Sequence, residues 1–515
     1  MKKRLPAILL IMLLVALTAA CGNADNSAEK MGNNNDGDLG TSVKDIGMKK
    51  DQGVKEEDSR DFNESYGVSH ITRSHMLQIP QQHDDARFEV PQFNPNSIIN
   101  IPTAQGYDKN GNITELDVWD SWPLQNADGT VAEYKGYHLL FTLAENPKDK
   151  KEEAFIYLFY KKADKNSLNS WKNAGRVFDD ADKFKENDPI LKYQTQEWSG
   201  SATLTSAGEL RLFYTDFSGT LEDGGTGYGK QTLTTAQVNV SEPSAGTIQV
   251  DGVEDHKSIY DGGEGKIYQN VQGFINAGAY NSGDNHTLRD PHYIEDKGHK
   301  YLVFEANTGT EYGYQGEEQL FNQAYYGMKK DEFQAEKKKL LQSDKKRTAK
   351  MANGAIGIIE INSDYTLKRE MKPLITSNTI TDEIERANVF RKNGKWYLFT
   401  SSRGIKMTID GIDKNDIYML GYVSSSLTGK YKPLNNTGIV LHHDLAKNDV
   451  TFNYAHFVIP QKSGNTFVVT HYMTNKGLFK YRHSTFGPSF LLNIKGSKTS
   501  IVKDGILAQG QLTVE

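Results

Sequence analysis

The chain has 515 residues with 60 basic and 66 acidic side chains, a formal charge of −6, 37% hydrophobic and 10% aromatic content, and one cysteine. That apolar supply excludes a wholly disordered chain, and the near-balanced charge excludes a nucleic-acid binder that works by bulk electrostatics. A single cysteine excludes an intrachain disulfide and any cysteine-based metal cluster.

The N-terminus reads as an address. Lys2, Lys3 and Arg4 precede a nearly unbroken apolar run from Pro6 to Ala19, then small residues and Cys21. Charged, apolar and small segments in that order make an export signal over residues 1–20. The run is short for a membrane span, so the expected place of work is extracellular. Cys21 sits where a bacterial lipoprotein carries its lipid anchor, although Thr18 stands where Leu is usual; ordinary secretion with cleavage near Ala20 is the alternative. Residues 21–61 are polar, keep no apolar period and read as a disordered leader. The folded domain is expected over 62–515.

Five short segments then share one pattern, a turn glycine followed by apolar and aromatic residues: GYHLLF (136–141), GELRLF (208–213), GHKYLVF (298–304), GKWYLF (394–399) and GNTFVV (464–469). Such residues suit a pleated, half-buried surface, and each glycine suits a hairpin turn. Five hairpins at intervals of roughly 70 to 100 residues imply five sheets in a ring, an all-β five-bladed β-propeller with long insertions. A large sandwich of unrelated hairpins is the alternative. In a propeller the first strand of each blade lines the central channel. Asp120 lies 16 residues before its turn glycine, and Trp198, Asp290, Glu385 and Tyr454 lie 8 to 10 before theirs. Three carboxylates and two aromatics would therefore converge on one funnel. Residues 315–350 are rich in Glu, Gln, Ala and Lys, with Leu320, Phe321, Ala324 and Tyr325 at helical spacing, and read as a helical insertion between blades. Its basic stretches (337–339 and 345–347) are a solvated face or an anion site.

Asp120 lies between Trp119 and Trp122, two of only five tryptophans. Aromatic faces stack on sugar rings, while a carboxylate binds hydroxyls or attacks an anomeric carbon. Arg289 beside Asp290 would keep that acid ionised and supply donors for hydroxyls; a structural ion pair is the other reading. Glu383 and Glu385 alternate along an expected strand and so share a face. Clustered carboxylates raise one another's pKa, which suits a proton-donating acid. One carboxylate as nucleophile and another as acid/base is the chemistry of retaining glycosyl transfer.

The motifs VWDSWPLQNADGT (118–130), EWSGSA (197–202), LRDPHY (288–293), DEIERANVF (382–390) and SSRG (401–404) stand in an order that resembles the levansucrases, fructosyltransferases of glycoside hydrolase family 68, most closely the Bacillus type. The likeness runs from about residue 62 to the C-terminus. It implies a five-bladed propeller that takes the fructosyl group from sucrose and passes it to a growing fructan, to sucrose or to water. Asp120 would be the nucleophile, Glu385 the acid/base and Asp290 the stabiliser of the transition state. Trp119, Trp198, Ser199, Arg289, Glu383, Arg386, Arg403, Asn285 and Tyr454 would line the sucrose pocket. The resemblance also implies a structural Ca²⁺ held by Asp284, Gln315, the carbonyl of Met351, Asn353 and Asp382, an all-oxygen set of the kind calcium prefers. No protein partner is implied. The linkage stays open between a β-2,6 fructan (levan) and a β-2,1 fructan, as does the share of hydrolysis. A carbohydrate-binding propeller without turnover is the non-enzymatic alternative.

Overall fold

The structure is a computed structural model that describes residues 68–514, apart from 95–96, 109, 148–153, 179–193, 220–228, 264, 272–286, 309–316, 444–450 and 476–483. The expected export signal, Cys21 and the leader lie outside the described residues. So do Asp284, Asn285 and Gln315.

Five antiparallel blades follow one another along the chain, blades 1 and 2 linked by a short parallel pairing of Leu124 and Gln125 with Ala202 and Thr203. Blade 1 is Asp117–Gln125, Tyr137–Glu145, Phe155–Lys162 and Lys172–Arg176. Blade 2 is Gln196–Leu204, Leu210–Ser218, Lys230–Ser241 and Gln249–Tyr260. Blade 3 is Leu288–Asp296, His299–Asn307, Gly354–Ile361 and Leu367–Thr376. Blade 4 is Glu385–Lys392, Lys395–Arg403 and Ile417–Ser424, edged by Lys432–Pro433 and Ile439–His443. Blade 5 is Thr451–Pro460, Thr466–Asn475, Pro488–Lys495 with Ser484–Phe486, and Lys498–Gln509. The first strand of each blade touches the first strands of its two neighbours, which closes the ring. The five-bladed propeller is the fold expected from the hairpin repeat.

The turn glycines do what their spacing implied. Lys135-Gly136, Lys297-Gly298 and Asn393-Gly394 both carry positive φ in each pair, the two-residue turn whose twist matches that of the strands it joins. Blade 1 alone departs from the pattern. Its turn joins the short strand Glu133–Tyr134, not the inner strand, to Tyr137–Glu145. That excursion explains why Asp120 lies further from its glycine than the other four residues do.

The apolar cores lie between blades. Along His299–Asn307, Tyr301 and Val303 pack with Val389, Trp396 and Leu398 of blade 4. Leu302 and Phe304 pack with Phe213 and Leu233 of blade 2. A strand alternates its side chains between two faces, and here both faces are covered by a neighbouring blade. The middle of such a strand, Tyr301 to Phe304 here, is therefore apolar on both faces.

The helical insertion lies inside blade 3, between its second and third strands, and not between blades. It comprises two short 3₁₀ turns, Glu317–Phe321 and Gln323–Tyr325, and the α-helices Lys330–Gln342 and Lys346–Met351. Leu320 and Tyr325 are buried as expected, but Phe321 is 50% exposed. Lys339 and Lys345 both pair with Asp410 at the surface, which supports a solvated face for the basic stretches.

Candidate active site

Every inner strand breaks its ladder near its start. The register with the second strand shifts between Val118 and Ser121, between Trp198 and Gly200, between Arg289 and His292, between Glu385 and Asn388, and between Tyr454 and Phe457. A bulge re-aims side chains that a regular strand would bury between sheets. In blades 3, 4 and 5 it is accompanied by positive φ at equivalent positions, Asp290 (58°), Arg386 (59°) and Ala455 (53°). Holding non-glycine residues there costs about 1–3 kcal/mol each, so the surrounding packing must enforce it. In blade 2 the close approach requires a glycine: a Cβ on Gly200 would lie 1.9 Å from the carbonyl oxygen of Phe213.

The bulges gather Asp120, Trp198, Ser199, Arg289, Asp290, Glu385, Arg386 and Tyr454 around one cleft on the axis, with Leu143. All five residues expected to converge are there. Two larger cavities, about 400 Å³ beside the helix Lys330–Gln342 and about 630 Å³ near the turns of blades 1 and 5, lie off the axis. Neither brings together a set of buried carboxylates, so chemistry and not volume locates the site.

Within the cleft each carboxylate has its own environment. Asp120 Oδ2 accepts from Ser199 Oγ at 2.6 Å, and Arg386 Nη1 lies 3.7 Å away. Arg386 is itself fixed by donating to the Ser121 carbonyl at 2.9 Å. Asp290 Oδ2 accepts from the Arg386 backbone N–H at 3.2 Å, and the Asp290 backbone N–H donates to Thr215 Oγ1 at 2.9 Å. Glu385 accepts from Arg289 Nη2 at 2.6 Å on one oxygen and from the Tyr454 hydroxyl on the other. Arg289, the sequence neighbour of Asp290, also reaches across the ladder. Its Nε goes to Glu305 at 2.7 Å. A one-residue bulge separates the directions of adjacent side chains.

Glu383 departs from expectation. The strand begins at Glu385, so Glu383 sits in the preceding turn instead of sharing a strand face. It is buried all the same, with Arg403 Nε and Nη2 on its two oxygens at 2.8 and 2.5 Å. The two glutamates are driven apart electrostatically. Burial, then the charge of Glu383, push Glu385 up to about 7 against the pull of Arg289 and Arg403. Burial also pushes Glu383 up, but the charge and hydrogen bonds of Arg403 overcome it and hold Glu383 at about 2. Neighbouring carboxylates with separated pKa values are the signature of an acid and an ionised companion. Burial raises Asp290 as well, with Arg386 and Arg289 pulling the other way.

Trp119 is buried beside Asp120, its indole N–H without a hydrogen-bond partner, but it does not line the cleft floor. The residue that sequence reasoning missed is Glu305. Its signal was an acid inside the apolar run YLVFEA (301–306).

Three of the expected calcium ligands are described. Asn353 and Asp382 are buried and share a neighbour: Asn307 Nδ2 donates to Asn353 Oδ1 at 2.8 Å and to Asp382 Oδ1 at 3.0 Å. Met351 ends the helix Lys346–Met351, two residues before Asn353. A buried carboxylate beside amide and carbonyl oxygens fits a hard cation.

The levansucrase/invertase family profile matches residues 61–512. A levansucrase of Bacillus amyloliquefaciens is 67% identical over 461 residues, covering 90% of this chain and 94% of its own length. A Geobacillus stearothermophilus protein named an inactive levansucrase is 65% identical with the same coverage. A crystal structure of levansucrase complexed with sucrose, 67% identical, superposes with a TM-score of 0.81 over 88% of this chain and 99% of that one.

Proposed function

The chain belongs to the levansucrase/invertase family, and from that premise we propose a two-step fructosyl transfer carried by Asp120, Glu385 and Asp290. The protein is a sucrose-utilising fructosyltransferase. Asp120 attacks the anomeric carbon of the fructosyl unit, and Glu385 gives its proton to the bridging oxygen, so that glucose leaves and a fructosyl ester of Asp120 remains. Glu385, now ionised, takes the proton of an acceptor hydroxyl. That oxygen attacks the same carbon and frees Asp120. Asp290, against the backbone of Arg386, holds fructosyl hydroxyls and offsets the positive charge that develops on the ring. Ser199 and Arg386 fix the nucleophile; Trp198, Arg289 and Tyr454 line the sucrose pocket, Trp119, Glu383 and Arg403 support it from behind that lining, and Asn285 completes it. Acceptors are a growing β-2,6 fructan, sucrose or water.

Family membership does not by itself carry turnover, since a relative of comparable identity is named inactive. The observation that carries it is the meeting of three buried carboxylates from three blades around one cleft. Incubation with sucrose tests it. Fructan and free glucose support transfer, equal glucose and fructose reduce the reaction to hydrolysis, and no release of sugar leaves a binding protein.

A calcium ion would be held by Asp284, Gln315, the Met351 carbonyl, Asn353 and Asp382. It would supply charge compensation for Asp382 and tie the turn before Glu385 to the helical insertion. The place of work is extracellular on the strength of the N-terminal signal, and the mass of the mature N-terminus distinguishes a lipid on Cys21 from free secretion.

A further inference from the structure

Two arginines use the same guanidinium edge in different ways. Arg403 gives Nε and Nη2 to the two oxygens of one carboxylate, Glu383. Arg289 divides that pair of donors, with Nε on Glu305 Oε2 at 2.7 Å and Nη2 on Glu385 Oε1 at 2.6 Å. Glu305 stands directly across the ladder from Arg289, in the second strand of blade 3. It is fully buried, and its second oxygen has no hydrogen-bond partner. A carboxyl group half satisfied in the interior is a liability for folding. Its position is better explained by what it does to Arg289.

We propose that Glu305 is a positioning residue for the transfer reaction: it holds one arm of Arg289, so that Glu385 receives a single hydrogen bond from that arginine and remains able to carry the proton the departing glucose needs. This rests on the assignment of Glu385 as the acid/base. The physical reason is that a whole guanidinium fork strongly favours the ionised carboxylate. Glu385 receives half of such a fork from Arg289 and stands at about 7. The other groups facing Glu385 are Glu383 from the preceding turn, Arg403 from the second strand of blade 4 and Tyr454 from blade 5. Glu305 faces Arg289 first, then Glu385, Asp290 and Glu383, and is itself pushed well above the usual carboxyl range by burial. Without Glu305, the Nε arm of Arg289 would be released toward Glu385.

The test compares Glu305→Ala, Glu305→Gln and Glu305→Asp with the parent, using sucrose and an aryl fructofuranoside whose leaving group needs no proton. In Glu305→Ala the basic limb of kcat/KM for sucrose is expected to move to lower pH by roughly one unit, with kcat near pH 8 falling about tenfold and KM little changed. Activity on the aryl donor is retained. Glu305→Gln, which keeps an acceptor oxygen for Nε, moves the limb the same way by less, and Glu305→Asp restores most of it. If Glu305→Ala does not fold, the other two variants decide. A limb that stays in place, or a loss equal on both donors, overturns the inference. Its failure is separable from failure of the assigned chemistry: a parent that releases no glucose from sucrose defeats the assignment, whereas an active parent whose Glu305 variants keep its pH limb defeats only the role of Glu305.

Discussion

The five inner strands differ between their two ends. Toward the hairpin turns they pair residue for residue with their neighbours and bury apolar side chains between blades, as Phe390 does against Phe467 of the second strand of blade 5, ring centroids 5.4 Å apart. Near the axis the register slips in all five, three non-glycine residues take positive φ, and buried Asp, Glu and Arg replace Val, Leu and Phe. The regular end satisfies local pattern and core packing together, which is what specifies a fold. The irregular end violates both, and the violations sit where side chains must be aimed at a common point. Stability and chemistry are thus separated along single strands by only a few residues.

The sharpest way to break that separation is at the proposed nucleophile. Asp120→Asn should lower kcat on sucrose on the order of 10⁴-fold or more while leaving the thermal unfolding midpoint near that of the parent. Near-normal turnover would remove Asp120 as nucleophile, and a collapse of stability would show that the axial charges hold the ring together. The converse substitution is Phe467→Ala at the regular end. It should cost about 3–5 kcal/mol of stability, with kcat per folded molecule unchanged. A specific loss of activity without destabilisation would mean that the two ends are not independent.

The regular end was legible in the sequence and the irregular end only in part. Turn glycines such as Gly298 and Gly394, followed by apolar runs, announce their hairpins because local backbone preference and burial agree there. Asp290 and Glu385 could be placed on the axis because they stand eight and nine residues before their turns, and Asp120 at sixteen before its own, a spacing that the extra strand Glu133–Tyr134 lengthens. Their partners could not. Arg289 precedes Asp290 in sequence yet reaches Glu305 and Glu385, because a bulge decouples adjacent side chains. Glu383 lies before the strand that alternation assigned to it, held by Arg403 from the next strand. Glu305 carries no local motif, and its place follows only from cross-strand register.

A smaller effect sharpens the contrast within the axial end itself, between Glu383 and Glu385. A general acid must hold its proton in the free enzyme. With Glu385 at about 7, kcat/KM should be level below that pH and fall about tenfold per unit above it. Glu385→Gln should abolish the limb along with most activity on sucrose. The same shift carries a sign for stability. A carboxyl raised from 4.5 to about 7 by folding binds more protons folded than unfolded, so its contribution weakens as pH rises through that window. Glu383, lowered to about 2, acts oppositely: its contribution is present above the usual carboxyl range and is lost as pH falls toward 2. A basic limb well above pH 8 would place the proton on another group.

The smallest expected effect concerns the seam where the two ends meet. Asp382 lies three residues before Glu385, and Asn353 immediately precedes the third strand of blade 3, so the oxygens proposed for calcium join a turn of the chemical end to the start of a strand of the regular end. Removing the ion takes one charge partner from the buried Asp382 carboxylate while the hydrogen bonds from Asn307 and the Asn353 backbone persist. The penalty should therefore be modest and local. For protein verified as metal-free, the unfolding midpoint is expected to fall by a few degrees, about the 2–3 kcal/mol that a ligand near 100-fold above its Kd supplies, and to recover on adding Ca²⁺ but not Mg²⁺. The pH limb of Glu385 should stay in place, because Arg289, Arg403, Glu383 and Tyr454 set it. A midpoint unchanged by metal removal would refute calcium at this seam, and a shifted limb would show that the ion reaches the acid directly.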